Sequence, residues 1–348
     1  MAGAMGAAAV VASTGGCSTL DYYQHSIHGH FSLLGSARPV ADWLADPDTP
    51  APLRERLVLT EAVRDFAVQA LKLPDNASYR RYADLKRPAA VWNVVAAPEL
   101  DLMLKTWCFP IVGCVGYRGY FDQPAAEAQA AALRAEGYEV AVYPVPAYST
   151  LGRIPGAYFS DPLLSTFIRY PEGDLARLIF HELAHQVAYA PGDTVFNESF
   201  ATAVERIGVR RWLATHASER ARVEYERLES RREDFRKLTL KTRQALEAIF
   251  RSNRSEADKR VAKVEAMAAM RTEYAALKAG PWGGFAGYDP WFERANNAAL
   301  GVLGAYYEQV PQFEALFRAQ GENFDRFYAE VQRIAALPRP ERHAALAR

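Results

Sequence analysis

The chain has 348 residues, half of them hydrophobic and 24% charged, an ordinary globular composition with material for one large domain. Lys plus Arg number 41 and so do Asp plus Glu, so net charge gives no argument for nucleic acid or an anionic surface as partner. Beyond the N-terminus no run approaches the roughly 18–20 continuous apolar residues that cross a bilayer, which predicts a soluble mature part.

Met1 to Gly16 carries no charge, is built mostly of Ala, Gly, Val and Met, and ends in Thr14-Gly15-Gly16 directly before Cys17. It resembles a bacterial lipoprotein signal, which implies removal of residues 1–16 and lipidation of Cys17. It departs from that pattern in lacking a basic start and in carrying Thr14 where Leu is commoner. Residues 17–348 are then expected as a single domain facing the periplasm, held to the membrane by the N-terminal lipid only.

From about Asp21 to Asp84, Leu53, Leu57, Val63, Phe66, Val68 and Leu71 recur at helical spacing, with Pro39, Pro52 and Pro74 as punctuation. His25, His28 and His30 follow no metal-ligand spacing and read as surface or packing residues. Strand character begins at Val91-Trp92-Asn93-Val94-Val95. Cys108 and Cys114 follow in a segment rich in glycine and aromatics. In an oxidising compartment they are candidates for a disulfide; half of a metal site and a buried reduced pair are the alternatives. Ala125 to Glu136 is predicted as an Ala-rich helix stopped by Gly137. Tyr138 to Pro144 alternates as a strand, and Pro144 with Pro146 confines its end to a sheet edge. A small mixed sheet with an exposed edge is the expectation.

Helices resume near Asp174. The segment Phe180-His181-Glu182-Leu183-Ala184-His185 holds an HExxH pattern in apolar surroundings, and Ala190-Pro191-Gly192 stops its helix. Residues four apart share a helix face, so His181 and His185 can reach one metal ion. Glu182 then faces the attacking water, whose pKa a zinc ion lowers, and takes its proton. A third protein ligand is needed, with a fourth position left open. Glu198 is the choice, with Asn197 read as the N-cap of a new helix. Glu205 is the competing ligand, and Glu205 or Thr202 could instead support a histidine from behind. Between Arg210 and Ala279 a narrow apolar stripe in a charged stretch predicts two long antiparallel helices turning near Ser252-Asn253. Helices continue from Trp291.

Asn197-Glu198-Ser199-Phe200-Ala201 resembles the third-ligand segment of gluzincins such as thermolysin-like peptidases and the large zinc aminopeptidases. Trp107-Cys108-Phe109-Pro110, Tyr117-Arg118-Gly119-Tyr120-Phe121-Asp122, Asp161-Pro162-Leu163-Leu164-Ser165 and Asn296-Asn297-Ala298 extend the likeness from about Tyr22 to Phe327. Together they resemble a family of bacterial zinc aminopeptidases of the cell envelope. Arg153 to Phe159 is an extra stretch relative to that family. The resemblance implies an α+β, mostly helical fold: a zincin-like core with a small mixed sheet, the motif helix, and a helical hairpin insertion over 210–279. It also implies one Zn2+ held by His181, His185 and Glu198, and a role in peptide hydrolysis.

Substrate is expected to lie along the strand leading to Tyr148, with Tyr148, Ser149, Thr150, Asn297 and Tyr306 as candidate contacts and Tyr307 beside them. The hairpin could restrict access to short peptides. Peptide is the expected partner, with no nucleic acid and no protein partner indicated. The alternative is a membrane-anchored helical binding module with a non-catalytic zinc site. Glu182 argues against it, because a purely structural site needs no carboxylate beside its ligand.

Overall fold

A computed structural model describes residues 14–109, 113–147, 156–307 and 309–347, without the side chains of 14–21, 23, 157 and 305–307. The fold is α+β and 62% helical. Helices α1 (Thr14–Gly35), α2 (Val40–Ala45) and α3 (Ala51–Gln69) open the chain, with strand β1 (Arg38–Pro39) between the first two. Short strands then alternate with loops: β2 (Arg81–Ala83), β3 (Val91–Ala97), β4 (Trp107–Phe109), β5 (Gly113–Val115) and β6 (Arg118–Tyr120). Helix α4 (Gln123–Ala135) and strands β7 (Glu139–Val145) and β8 (Leu163–Leu164) complete this half. The remainder is helical: α5 (Glu172–Val187), α6 (Thr194–Thr215), α7 (Glu219–Arg251), α8 (Glu256–Ala279), α9 (Asp289–Arg294) and α10 (Asn297–Tyr307). Helices α11 (Val310–Ala319), α12 (Phe324–Ala335) and α13 (Arg339–Leu346) end the chain. Among the described residues, no helix is long and apolar enough to cross a membrane.

The strands form three small sheets. The mixed one is β1–β2–β8, antiparallel at its first pairing and parallel at its second. The sheet that matters for the site, β6–β3–β7, is wholly antiparallel. Every residue of its central strand β3 is buried, which is why that run reads as apolar sequence broken only by Asn93 rather than as an alternation. Val94 and Ala96 face Ala126, Ala130 and Leu133 of α4, whereas Val95 and Ala97 face Ala298 and Val302 of α10. Strand β7 forms the outer edge, where Pro144 lacks the N–H that an inner strand would need. The third sheet is the hairpin β4–β5, in which Cys108 and Cys114 are directly opposed and joined by a disulfide.

Local chemistry explains most boundaries. Asp122 caps α4 by accepting from Ala125 N, and Gly137 ends that segment at φ 89°. Ser218 and Ser255 cap the two hairpin helices, which turn at 252–255. The charged stretch from 210 is therefore divided. Trp212 and Leu213 finish α6 inside the main core, and the hairpin itself begins at Glu219. The main core joins α3, α5, α6 and α11–α13, and a second apolar cluster holds the hairpin against Trp282, Phe292 and Leu300. Residues 1–13 of the segment expected as a signal (1–16) and the side chain of Cys17 lie outside the described residues.

Candidate metal centre

Helix α5 begins after Pro171 with Glu172 and Asp174 in its first turn, where carboxylates suit the positive end of the helix. Its buried face (Leu175, Ile179, Phe180, Leu183) fixes its rotation. That rotation places His181 and His185 side by side, with their Nε2 atoms 3.2 Å apart and their rings nearly perpendicular at 83°.

The chain returns through a short link. Asn197, expected as the helix cap, binds the link instead: its Nδ2 donates to Ala190 O at 2.9 Å and its Oδ1 accepts from Ala190 N at 2.7 Å. The cap is Asp193, which accepts from Phe196 N, so α6 starts four residues earlier than the sequence suggested. Glu198 therefore stands beyond the first residues of an established helix. Its Oε2 lies 3.2 Å from His181 Nε2 and 3.7 Å from His185 Nε2. The circle through these three atoms has a radius of about 2.0 Å, matching the roughly 2.0–2.2 Å bonds of a small divalent cation to nitrogen and oxygen. His181, His185 and Glu198 could thus hold one metal ion.

Behind the trio stands Glu205, fully within the core. Its Oε2 accepts from His181 Nδ1 at 2.9 Å, and its Oε1 accepts from Arg177 Nε at 2.6 Å. Placing the proton on Nδ1 turns the lone pair of Nε2 toward Glu198 and His185. Burial pushes Glu205 up, but Arg177 and then His181 hold it below the ordinary carboxylate range. Burial likewise pushes Glu198 up, and the two imidazoles outweigh it, leaving Glu198 far below that range. His181 responds in reverse: burial lowers its pKa, and the hydrogen bonds to Glu198 and Glu205 carry it well above the ordinary value. Ionised carboxylates and two converging imidazole nitrogens call for a positive charge between them.

Glu182, next to the first histidine, is raised by burial, with the histidines lowering it and Glu198 and Asp161 raising it. Tyr79, Tyr117, Tyr143 and Tyr189 gather nearby. Tyr117 keeps 38% of its surface open, yet Glu198, Tyr189, Tyr143 and Glu182 all act on its hydroxyl, and burial raises its pKa. Burial pushes Tyr143 up to about 12, and Asn93 Nδ2 donates to its hydroxyl at 3.4 Å. Tyr117 follows the disulfide hairpin, and that hairpin sits on the α5–α6 link. A Cβ on Gly113, at φ 78°, would come within 2.9 Å of Gly192 N.

The remaining expected contacts fall elsewhere. Tyr148, Ser149 and Thr150, and the side chains of Tyr306 and Tyr307, lie outside the described residues. Asn297 is fully buried at the start of α10, and its amide donates to the carbonyls of Pro98, Glu99 and Asp101. Thr202 is buried on α6. His25 and His28 border a cavity of about 410 Å3 beside α1 that contains none of the trio. Tyr117 belongs to a segment that carried the family likeness, but no spacing in the sequence tied it to the histidines. Arg177 was visible one helical turn before His181, and it too went unassigned.

A family model described as "Putative aminopeptidase" matches residues 21–346. The chain belongs to that family. Membership in this aminopeptidase family carries peptidase activity and a peptide substrate at the level of the family. No curated protein and no solved structure gives a match.

Proposed function

We propose that the chain is a zinc-dependent peptidase of the cell envelope, acting as an aminopeptidase, with one zinc ion held by His181, His185 and Glu198 and with Glu182 as general base. The observation that carries this reading is the ligand triangle: its radius of about 2.0 Å equals the zinc bond length to imidazole and carboxylate, roughly 2.0–2.1 Å. Two imidazoles and one carboxylate are a catalytic set, since they leave a coordination position open. Zinc bound there would act as a Lewis acid toward the scissile carbonyl and lower the pKa of water.

The chain's own groups supply the rest. Glu182 is kept out of the trio by its place on the helix, and burial raises its proton affinity toward what a base working near neutral pH requires. It removes the proton from the attacking water and delivers it to the departing amine. Glu205 and Arg177 keep the His181 ring from turning. Tyr117, whose pKa burial raises above its ordinary value, is the hydroxyl we assign to the developing oxyanion. Lipidation of Cys17 would place this body at the membrane surface, and a Cys17→Ser protein is then expected in the soluble fraction without fatty-acid label.

The decisive experiment combines zinc content with cleavage of a mixed peptide library, for wild type and Glu182→Gln. One zinc per chain in both proteins, with products only from wild type, is the expected result, and the cleavage positions report exo- or endo-action. Cleavage retained by Glu182→Gln would remove the general base from the mechanism. A zinc-free wild type would remove the metal.

A further inference from the structure

The outer edge of β7 has a direction and an end. Val145 O accepts from Ala90 N, so Val145 turns its main chain toward β3. Ala96 O, on the residue opposite Val140, accepts from Lys105 N on the far side of β3. Val140 O accepts from Asn296 Nδ2 at 3.0 Å, outside the sheet. By the alternation of antiparallel pairing, Val140, Val142 and Pro144 therefore present their main-chain groups to the outside. Val142 offers both N–H and C=O there. Pro144 offers only its carbonyl. Val140 has its N–H left, because Asn296 takes its carbonyl.

Along this edge runs a groove of about 490 Å3, lined by Val142, Tyr143, Trp291, Arg294, Val302 and Leu303. Helix α10 lines this groove through Ala299, Val302 and Leu303 and packs against both β7 and α6, the helix that bears Glu198, which sets the groove beside the metal centre. The other end is closed, and the closure is braced. Asn296 Oδ1 accepts from Ala299 N, which caps α10. Glu139 Oε2 accepts from Asn297 N at 2.7 Å, and Lys263 of α8 binds the other oxygen of Glu139. The hairpin thus fixes the plug in place.

We infer that Asn296 is a length stop: it ends the open edge of β7, so that the groove takes an extended peptide arm of about three residues on that side of the metal centre. Three residues of strand at roughly 3.4 Å each span the ~10 Å from Tyr143 to Val140. Main-chain pairing suits any sequence, and the mainly apolar lining, with Glu127, Arg134 and Arg294 among it, accepts aliphatic side chains. The inference rests on the peptidase reading for the identity of the occupant.

Binding of labelled Ala/Val-rich peptides to the zinc-loaded Glu182→Gln protein tests it without turnover. The peptides are lengthened one residue at a time on either side of a fixed centre. On one side, affinity should rise by roughly threefold to tenfold per residue up to about three residues and then stop rising. Asn296→Asp keeps an oxygen for the Ala299 cap and has no donor for Val140, and Asn296→Ser keeps the cap with a hydroxyl that stops one bond short of the Nδ2 position. In both, the rise should continue to the fourth and fifth residues. A rise past three residues without the substitution, or the same plateau in all three proteins, overturns the length stop alone. Peptides that bind at no length would overturn the peptidase reading together with it.

Discussion

Glu205 illustrates how much of a metal site lies behind its ligands. A neutral imidazole can put its proton on either nitrogen, and only the tautomer protonated at Nδ1 leaves Nε2 free for a cation. Glu205 selects that tautomer, and Arg177 holds Glu205 in position. Glu205→Gln should retain the fold and weaken zinc binding by about 10–100-fold, read by competition with a chromophoric chelator. Unchanged zinc affinity would make Glu205 a packing residue. For Tyr117→Phe we expect full zinc occupancy and a kcat lower by about 10²–10³, with a smaller change in KM. A drop confined to KM would assign the hydroxyl to ground-state binding. These two residues mark what was legible. His181 and His185 could be read because helical spacing puts them on one face of α5, with Glu182 beside them. Glu198 and Glu205 could be read because they lie seven residues apart on the next helix, in a segment that resembles a third-ligand motif. Tyr117 and Tyr143 come from a hairpin exit and a strand, and they reach the site through tertiary packing that leaves no period in the sequence.

At the scale of elements, the helix bearing Glu198 is held at its start by the last helix of the chain. Asp193, the cap of α6, accepts from Arg342 Nη1 at 2.7 Å and pairs with His343 Nε2 at 2.8 Å. Its side chain has no exposed surface, and that of Arg342 is 8% exposed. Removing one partner leaves a buried charge, so Arg342→Met should cost about 3–5 kcal/mol in denaturant unfolding. Burial pushes Asp193 up, but the hydrogen bonds from Arg342, His343 and Phe196 N outweigh it and leave its pKa below the ordinary 3.8. A lowered folded-state pKa stabilises the fold above the unfolded value, and the contribution is lost as pH falls from about 3.8 through the folded value. Stability should therefore hold through mildly acid pH and then drop below pH ~4. The drop should be shallower in Asp193→Asn; an identical acid limb would place the acid-sensitive carboxylate elsewhere. Sequence reading chose Asn197 as the cap because its residue type suits one. Asn197 instead satisfies both main-chain groups of Ala190, a use that depends on how the link folds back. Asp193 caps in the same way as Asp122 and Ser255, accepting from the N–H three residues on, but it stands close to Asn197, whose residue type suits a cap equally well.

Two of the apolar clusters among the described residues serve the site differently. The main core contains both α5 and α6, so it sets the distances between ligands. The second core, built on the hairpin, lies behind the closed end of the β7 groove, which it reaches through Lys263 and Glu139. Arg232 of α7 also pairs with Asp174 at the start of α5, and α10 packs against α6, α7 and the sheet. One substitution in each core separates these roles. Phe180 is fully buried beside Gly208, whose Cβ would fall 2.8 Å from the Phe180 ring, so α5 and α6 approach closely there. Phe292 is 2% exposed and stacks on Tyr274 at 3.9 Å. Each change to Ala should cost about 3–5 kcal/mol through lost burial and the cavity left behind. Phe180→Ala should also weaken zinc binding, because the cavity opens one residue from His181. Phe292→Ala should leave zinc affinity within about threefold, since local loosening need not reach the ligands, while raising hydrogen exchange in α8 and α9 and abolishing discrimination by peptide length. Equal loss of zinc affinity in the two variants would mean that the cores unfold and loosen as one unit, and that the hairpin supports the metal ligands as directly as it supports the groove.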